Sequence, residues 1–346
     1  MKYKSPQPKK LFDEDFRLEK LSSQNDPLVK LKERIDFEIF RGLLEDTLSK
    51  ESKGMGGARP YDYVMMFKIL ILQRYNNISD DKMEFAILDR PSFMRFLGLT
   101  LGDKVPDAKT IWLFREQLTG KGVTEKLFNC FLEELKTKGL VVNEGKIVDA
   151  SFVEVPIQRN SREENKQIKQ GEIPNAWKEK PNKLEQKDTD ARWTKKNGKS
   201  YYGYKDHVKA DEKSKLIDTY TVTDASVHDS QETEPLLSEE DKVPSLHADS
   251  AYSGEPVAQA VEKKGMVNHI HEKGYRNNPL TDQQKENNKI KSKTRARVEH
   301  VFGFIENSMN GSFIRTIGIK RATTVIGLMN LTYPIFRAIQ LGYSSA

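Results

Sequence analysis

Three acidic residues are placed where carboxylates from different elements could converge on one metal ion. Asp149 lies within an otherwise apolar, β-branched run at residues 146–153, and Asp249 ends a second such run. Glu299 lies beside the apolar stripe of a later helix. Carboxylate oxygens are the hard ligands that Mg²⁺ prefers, and two such ions can stabilise the attacking and leaving oxygens when a phosphodiester is cut. We therefore predict that Asp149, Asp249 and Glu299 are catalytic and bind Mg²⁺, with Mn²⁺ as a substitute.

Basic residues cluster around the third carboxylate. They recur densely over residues 263–297, with few acids between them. A solvated loop leading into a helix would carry such charges, and so would a surface that contacts DNA phosphates. An aromatic run before residue 208 places two more candidates near the site, although cross-strand packing is an equal alternative for His207. The DNA-binding candidates are Lys205, His207, Lys293, Arg295 and Arg297.

The elements that must position these side chains begin with a helical region. Apolar residues recur at helical spacing over residues 64–71, 111–118 and 127–135, and Gly139 is typical of a helix end. Several short helices with tight turns fit a helix-turn-helix unit as well as any small bundle. We predict that residues 1–140 form an N-terminal helical region that serves DNA binding or dimerisation.

Strands begin after Gly145. Residues 146–153, 201–208 and 216–223 are β-branched and aromatic, and the last two are expected to pair antiparallel. Shorter strands at 244–248 and 266–270 alternate with helices, and helices are predicted at 293–308 and 323–339, with Pro334 kinking or dividing the latter. The polar stretch 156–200 is an insertion after the first strand, either functional or partly disordered. This α/β order matches a ribonuclease H-like catalytic domain over residues 141–346, a mixed sheet flanked by helices.

Composition excludes several classes of protein. The single cysteine, Cys130, rules out disulfides and cysteine-rich zinc sites and suits a reducing cytoplasm. No run of about 18 apolar residues could span a bilayer, and the lysines of the first ten residues precede no apolar stretch, so we expect neither a membrane segment nor a secretory signal. The net charge of +6 is by itself weak evidence for nucleic acid.

Longer segments carry more specific information together than any one residue does. They are 59–70, 88–93 and 105–107 in the helical region, 186–196 and 202–207 before the second strand, and 223–230 and 248–252 around the second carboxylate. Together these segments resemble bacterial insertion-sequence transposases of the DDE class, in the IS-five family of the IS-four-like group. The resemblance runs over nearly the whole chain.

The resemblance implies a definite chemistry. Activated water would cut at the ends of the element, and the freed 3′-hydroxyl would attack target DNA without a covalent protein intermediate. The implied partners are double-stranded DNA, both as terminal inverted repeats and as target. Because two ends must be cut in concert, a homodimer is expected. The implied location is the bacterial cytoplasm, at the nucleoid when DNA is bound.

The last motif departs from the family pattern. Related enzymes carry a tyrosine, an arginine, the glutamate and a lysine seven residues beyond it. Arg295 and Glu299 match, but Ser292 stands at the tyrosine position and Glu306 at the lysine position. A carboxylate where a cation should hold DNA would repel phosphate. Glu306 is also a rival third ligand, and the motif favours Glu299.

Two alternative functions remain open from the sequence. A non-catalytic DNA-binding repressor, derived from an inactive copy, is suggested by Ser292 and Glu306. A host nuclease of the same fold would cleave without strand transfer, and the resemblance of the N-terminal region disfavours it.

Overall fold

In the computed structural model, residues 11–49, 59–237 and 244–345 are described. The N-terminal part of this chain is helical, as expected. Its helices are α1 (Asp13–Ser23), α2 (Pro27–Arg34), α3 (Arg41–Leu48), α4 (Tyr63–Asn76), α5 (Asp80–Asp89), α6 (Pro91–Leu97), α7 (Ala108–Lys121) and α8 (Val123–Thr137).

Local sequence explains where several of these helices begin and end. The side chains of Asp62 and Asp107 accept hydrogen bonds from the first-turn amides of α4 and α7. Gly98 and Gly122 end α6 and α7 with φ values of +77° and +61°, a conformation that a Cβ atom would strain. The predicted end at Gly139 also has positive φ, two residues after α8.

A mixed sheet follows the helices. Its strands are β1 (Lys146–Glu154), β2 (Arg192–Lys196), β3 (Lys199–Asp211), β4 (Ile217–Asp224), β5 (Ser245–Ala248) and β6 (Val267–Ile270). Over the described residues the order is β2-β3-β1-β5-β6, with β4 also paired to β3. β1 runs antiparallel to β3 and parallel to β5, and β5 runs parallel to β6. The predicted α/β class with a mixed sheet flanked by helices is confirmed.

The insertion after β1 is more ordered than its composition suggested. Among its described residues it holds α9 (Arg162–Lys169), α10 (Asn175–Lys178), α11 (Pro181–Leu184) and β2. Trp177 is fully buried and donates a hydrogen bond from its indole nitrogen to Glu164 at 2.6 Å. Buried Asp188 accepts hydrogen bonds from the Tyr204 hydroxyl and from the Gly318 amide, which fasten the insertion to the sheet. These elements do not support the alternative that residues 156–200 are partly disordered.

Helices cover the sheet in the C-terminal part. They are α12 (Thr233–Leu236), α13 (Glu255–Lys263), α14 (Asp282–Arg295), α15 (Glu299–Gly303) and α16 (Ile319–Gln340). α14 begins eleven residues before the predicted start, at a capping box of Thr281 and Gln284. α16 continues through Pro334, so that residue does not divide it.

One large hydrophobic core joins the two predicted regions. It includes Phe40 and Phe67 of the helical region, Val208 of β3 and Leu328 of α16. A second cluster, around Leu246 and Tyr252, packs on the opposite side of the sheet. A boundary near residue 140 falls between α8 and β1, but burial is continuous across it. No helix among the described residues is long and apolar enough to cross a membrane.

A buried carboxyl group in this core makes stability depend on pH. Asp206 of β3 is buried, and its Oδ1 accepts a hydrogen bond from Asn330 Nδ2 of α16 at 2.8 Å. Burial raises the pKa of Asp206 to about 7, because the folded protein disfavours the charged form. Since the folded pKa lies above the unfolded value, stability is lost as the pH rises from about 4 towards this value.

Asp206→Asn is therefore expected to stabilise the protein at pH 8, by up to about 4 kcal/mol, and to flatten this pH dependence. Urea denaturation at pH 5 and pH 8 measures the effect. Asp81→Asn, which changes an exposed carboxylate of α5, is the control and should leave the difference between the two pH values unchanged. A variant no more stable than wild type at pH 8 would show that the pKa of Asp206 is not raised in the folded state.

Candidate active site

Asp149 lies in the middle of β1 with its carboxylate largely buried. Its Oδ1 accepts the Ala150 amide at 2.9 Å, and its Oδ2 lies 2.8 Å from a guanidinium nitrogen of Arg295. Burial raises the pKa of Asp149 to about 6, against the lowering effect of Arg295. The negative charge of Asp249 raises it further. This carboxylate is thus held in a site that favours a nearby positive charge.

Asp249 follows β5, the strand beside β1. Ile147 is level with His247 in the parallel register, and continuing that register brings Asp249 level with Asp149. Neighbouring strands lie about 4.8 Å apart, so Asp149 and Asp249 lie side by side where β5 ends. Asp249 Oδ1 accepts the Ala251 amide at 2.7 Å, which fixes the turn into residues 250–252.

Glu299 is connected to the two aspartates less directly than they are to each other. Arg295, at the end of α14, lies 3.5 Å from Glu299 Oε1 while it also contacts Asp149. The Glu299 side chain is 66% exposed. Within the described residues no three His, Cys, Asp or Glu side chains are grouped closely enough to hold a metal ion. The structure therefore brings Asp149 and Asp249 together, and it connects Glu299 to them only through Arg295.

Glu306 occupies a different position on the same C-terminal segment. It lies in a π-helix at Phe304–Ser308, and its Oε1 accepts the Ser151 hydroxyl at 2.6 Å. Ser151 is two residues beyond Asp149 and therefore on the same face of β1. Glu306 thus contacts the strand that carries Asp149, whereas Glu299 does not. π-Helical turns often mark functional sites.

Comparison with known families decides the class of the protein. A model described as "Transposase DDE domain" matches residues 143–334, which is more than half of the chain. The chain belongs to the DDE transposase family. A second model, "Transposase domain (DUF772)", matches residues 16–117 in the helical region. The aligned solved structure titled "Cryo-EM structure of piggyBac transposase synaptic complex with hairpin DNA (SNHP)" is 13% identical, with a TM-score of 0.44 over 93% of this chain and 77% of that chain.

Two of the predicted DNA-binding residues of this transposase are buried. Lys205 donates to Asp229 Oδ1 at 2.7 Å and to the Val227 carbonyl oxygen at 2.6 Å. His207 is fully buried, its Nε2 is 2.9 Å from the Thr223 hydroxyl, and burial lowers its pKa to about 4. Neither side chain reaches a surface that DNA could contact. The contact of His207 with Thr223 of β4 agrees with the alternative of cross-strand packing.

The other predicted DNA-binding residues lie at the surface near the site. Lys293 is exposed on α14. Arg297 is 45% exposed and its guanidinium is 3.1 Å from Glu212 Oε1. Arg295 is only 23% exposed and forms ion pairs with Asp149 and Glu299. Lys293 and Arg297 are therefore accessible to a phosphate, and Arg295 is accessible only if it leaves Asp149.

Sequence reasoning missed two groups beside the carboxylates. Lys196 of β2 lowers the pKa of Asp149 through its charge and lies 4.0 Å from Asp229. The buried Tyr252 hydroxyl has no hydrogen-bond partner in the described parts of the chain, and its pKa is raised well above the usual value by burial and then by Asp229 and Asp149. Tyr252 lies three residues after Asp249. That spacing was the available signal, because one helical turn brings the two side chains to the same side of the chain. Lys196 ends the segment 186–196, which carries the family resemblance, but its polar surroundings gave no sign of a strand.

Proposed function

We propose that this protein is a transposase that cuts DNA at the ends of an insertion sequence and joins the freed ends to target DNA, with Mg²⁺ as cofactor. The proposal extends to the ribonuclease H-like fold, to the IS-five family, and to the triad Asp149, Asp249 and Glu299. The observation that supports it most directly is the level position of Asp149 and Asp249 on neighbouring parallel segments, with Arg295 between Asp149 and Glu299.

A divalent metal fits the donor set at this site. Asp149 is a buried carboxylate, and its pKa is raised mainly by burial and to a smaller extent by the negative charge of Asp249. Mg²⁺ or Mn²⁺ held by Asp149 and Asp249 would offset this repulsion and would supply Lewis-acid stabilisation of phosphate oxygens. Glu299 would complete the set once Arg295 turned away from it.

The protein side chains have distinct tasks in this proposal. Asp149 and Asp249 orient the site because backbone amides hold one oxygen of each. Arg295 neutralises the carboxylates before DNA arrives, and a phosphate is the natural alternative partner for its guanidinium. Lys293 and Arg297 lie at the same surface and would hold the DNA backbone by charge.

The partners follow from this chemistry. The enzyme would bind double-stranded DNA, as terminal inverted repeats and as target. We propose a homodimer, because both ends must be cut together, and a location in the bacterial cytoplasm at the nucleoid. The competing proposal is a non-catalytic DNA-binding repressor, favoured by the carboxylate of Glu306 beside β1, where a cation would suit DNA better.

Cleavage of a labelled duplex that carries the inverted repeat and its flank, with and without Mg²⁺, tests the proposal. Nicking at the repeat boundary only with metal is the expected result. Binding without nicking in either Mg²⁺ or Mn²⁺ would favour the repressor.

Glu299→Gln and Glu306→Gln form a matched pair in the same assay. If Glu299 is the third ligand, Glu299→Gln should lose cleavage by roughly 100-fold or more, as expected when a transition-state group is removed. Glu306→Gln should retain cleavage or increase it, because a charge that repels phosphate has been removed. The reverse ranking would transfer the ligand role to Glu306.

A further inference from the structure

A cationic groove lies between the helical region and the loop before α16, outside the carboxylate site. Two adjoining hollows of about 640 and 400 Å³ share Asp80, Arg115, Arg315 and Thr316 in their walls. The larger also contacts Arg74, and the smaller contacts Arg321. Positive charge therefore dominates this groove although it contains acidic residues.

Some of these charges are paired and others are not. Arg115 forms two hydrogen bonds to Asp80, and Arg321 lies 2.8 Å from Glu116. Arg74 and Arg315 have no acidic partner within 4.0 Å among residues 11–49, 59–237 and 244–345.

Two groups in the groove, a hydroxyl and a guanidinium, lack a hydrogen-bonding or charged partner of the kind that an anion would be. The Thr316 hydroxyl is buried and accepts or donates no hydrogen bond within the described residues. Arg74 is partly buried beside Arg115, and burial together with that like charge lowers the pKa of Arg74 to about 10. The Arg74 guanidinium stays charged at neutral pH. Its burial beside a like charge is therefore energetically unfavourable, and a bound anion would reduce this unfavourable energy.

Aromatic rings stand exposed at both hollows. Trp112 is 47% exposed at the smaller hollow, and Phe313 is 39% exposed at the larger. The Arg315 guanidinium carbon lies 5.7 Å from the centre of the Phe313 ring. Cations that follow a backbone, interleaved with exposed rings on which bases stack, are the chemistry that binds single-stranded or unpaired nucleic acid.

The groove is fastened to the strand that carries the first catalytic carboxylate. Glu154, the last residue of β1, accepts the Ile314 amide at 2.9 Å and donates its own amide to the Ser312 carbonyl oxygen at 2.8 Å. Five residues of strand separate Asp149 from Glu154, which is roughly 17 Å. Successive nucleotides on one strand rise by about 3.4 Å, so the point where the loop of the groove meets β1 lies about five nucleotides from Asp149.

We propose that this groove binds the DNA strand about five nucleotides from the cut, with backbone phosphates at Arg74, Arg315 and Thr316 and unpaired bases stacked on Trp112 and Phe313. The distance of about five nucleotides from the cut rests on the proposed function, because it assumes cleavage at Asp149. The proposal that DNA binds in the groove does not require cleavage.

Binding of end-bearing DNA, measured by fluorescence anisotropy in EDTA over a range of salt concentrations, tests the groove. Arg315→Ala should weaken binding and should lower the slope of log affinity against log salt by about 1, the value for one lost phosphate contact. Trp112→Ala should weaken binding to a duplex with a short unpaired segment by about tenfold and should hardly affect a fully paired duplex. Both side chains are exposed, so the variants are expected to fold, which circular dichroism checks.

Lys126→Ala, which removes an exposed cation of α8 outside the groove, is the matched control. A single 5-iododeoxyuridine moved along the strand should cross-link most strongly about five nucleotides from the cut, and Trp112→Ala should reduce that product. If the slope of log affinity against log salt is unchanged in Arg315→Ala, or equals that of Lys126→Ala, the proposal that the groove binds DNA is overturned. This holds even if wild type cleaves DNA. A slope reduced by Arg315→Ala in a protein that never nicks DNA with Mg²⁺ supports the groove and overturns the proposed function.

Discussion

Asp149→Asn is expected to abolish DNA cleavage while DNA binding and folding are retained. The substitution keeps the size of the side chain and removes the charge that a metal would need, so we expect cleavage to fall by roughly 1000-fold. The folded pKa of Asp149, about 6, lies above the unfolded value, so wild type loses stability as the pH rises through this interval. The variant should therefore be more stable than wild type at pH 8, by up to about 3 kcal/mol.

Three measurements on one preparation separate these effects. They are nicking of the end-bearing duplex in Mg²⁺, anisotropy binding in EDTA, and urea denaturation at pH 8. Asp282→Asn is the control, since Asp282 is 99% exposed and its ion pair is with Lys285, far along α14 from the site. Retained cleavage by Asp149→Asn would remove this residue from the catalytic set. A variant less stable than wild type at pH 8 would contradict the raised pKa.

Arg295→Gln is expected to bind metal more tightly than wild type before DNA is present. The guanidinium contacts Asp149 at 2.8 Å and Glu299 at 3.5 Å, so in the free protein it competes with any cation for both carboxylates. Charged hydrogen bonds of this kind contribute about 1.5 kcal/mol or more, which predicts an increase of about tenfold in Mn²⁺ affinity at pH 8. Cleavage should nevertheless fall, because the side chain that would pass from carboxylate to phosphate is missing.

Titration of Mn²⁺ by calorimetry at pH 8 and at pH 6 measures the competition. At pH 6 the gain should shrink, because without Arg295 the pKa of Asp149 rises further and protons replace the arginine as competitor. Arg297→Gln is the matched control: it removes a neighbouring charge whose contact is with Glu212 rather than with Asp149. Equal or weaker Mn²⁺ binding by Arg295→Gln at pH 8 would show that the arginine supports the metal ligands instead of blocking them.

The sequence was sufficient for features that depend on neighbours along the chain. The β-branched run around Asp149 and the short apolar run before Asp249 identified two strands, one with a carboxylate in its middle and one followed by a carboxylate. The N-terminal helices were similarly predictable, because their apolar periodicity and their capping residues act within a few positions. The family relationship reached further, since many short motifs together are specific even where each one is weak.

Tertiary structure decided what depends on contacts between distant segments. β2 was missed because its polar residues become a strand only by pairing with β3, and so was Lys196, which that strand carries. Lys205 and His207 were candidates for the active site or for DNA contact, with cross-strand packing an equal alternative for His207, and the structure buries both side chains.

The arrangement of the third carboxylate was equally beyond local pattern. Helical spacing predicted that Arg295 and Glu299 share a face, and they do. It contained no information about the distance from that face to β1, so neither the contact of Arg295 with Asp149 nor that of Glu306 with Ser151 could be foreseen. Local sequence thus determined which carboxylates are available. Packing of α14 and the π-helix against β1 determined which of them meet, because groups 146 and 155 residues apart approach only when the fold has formed.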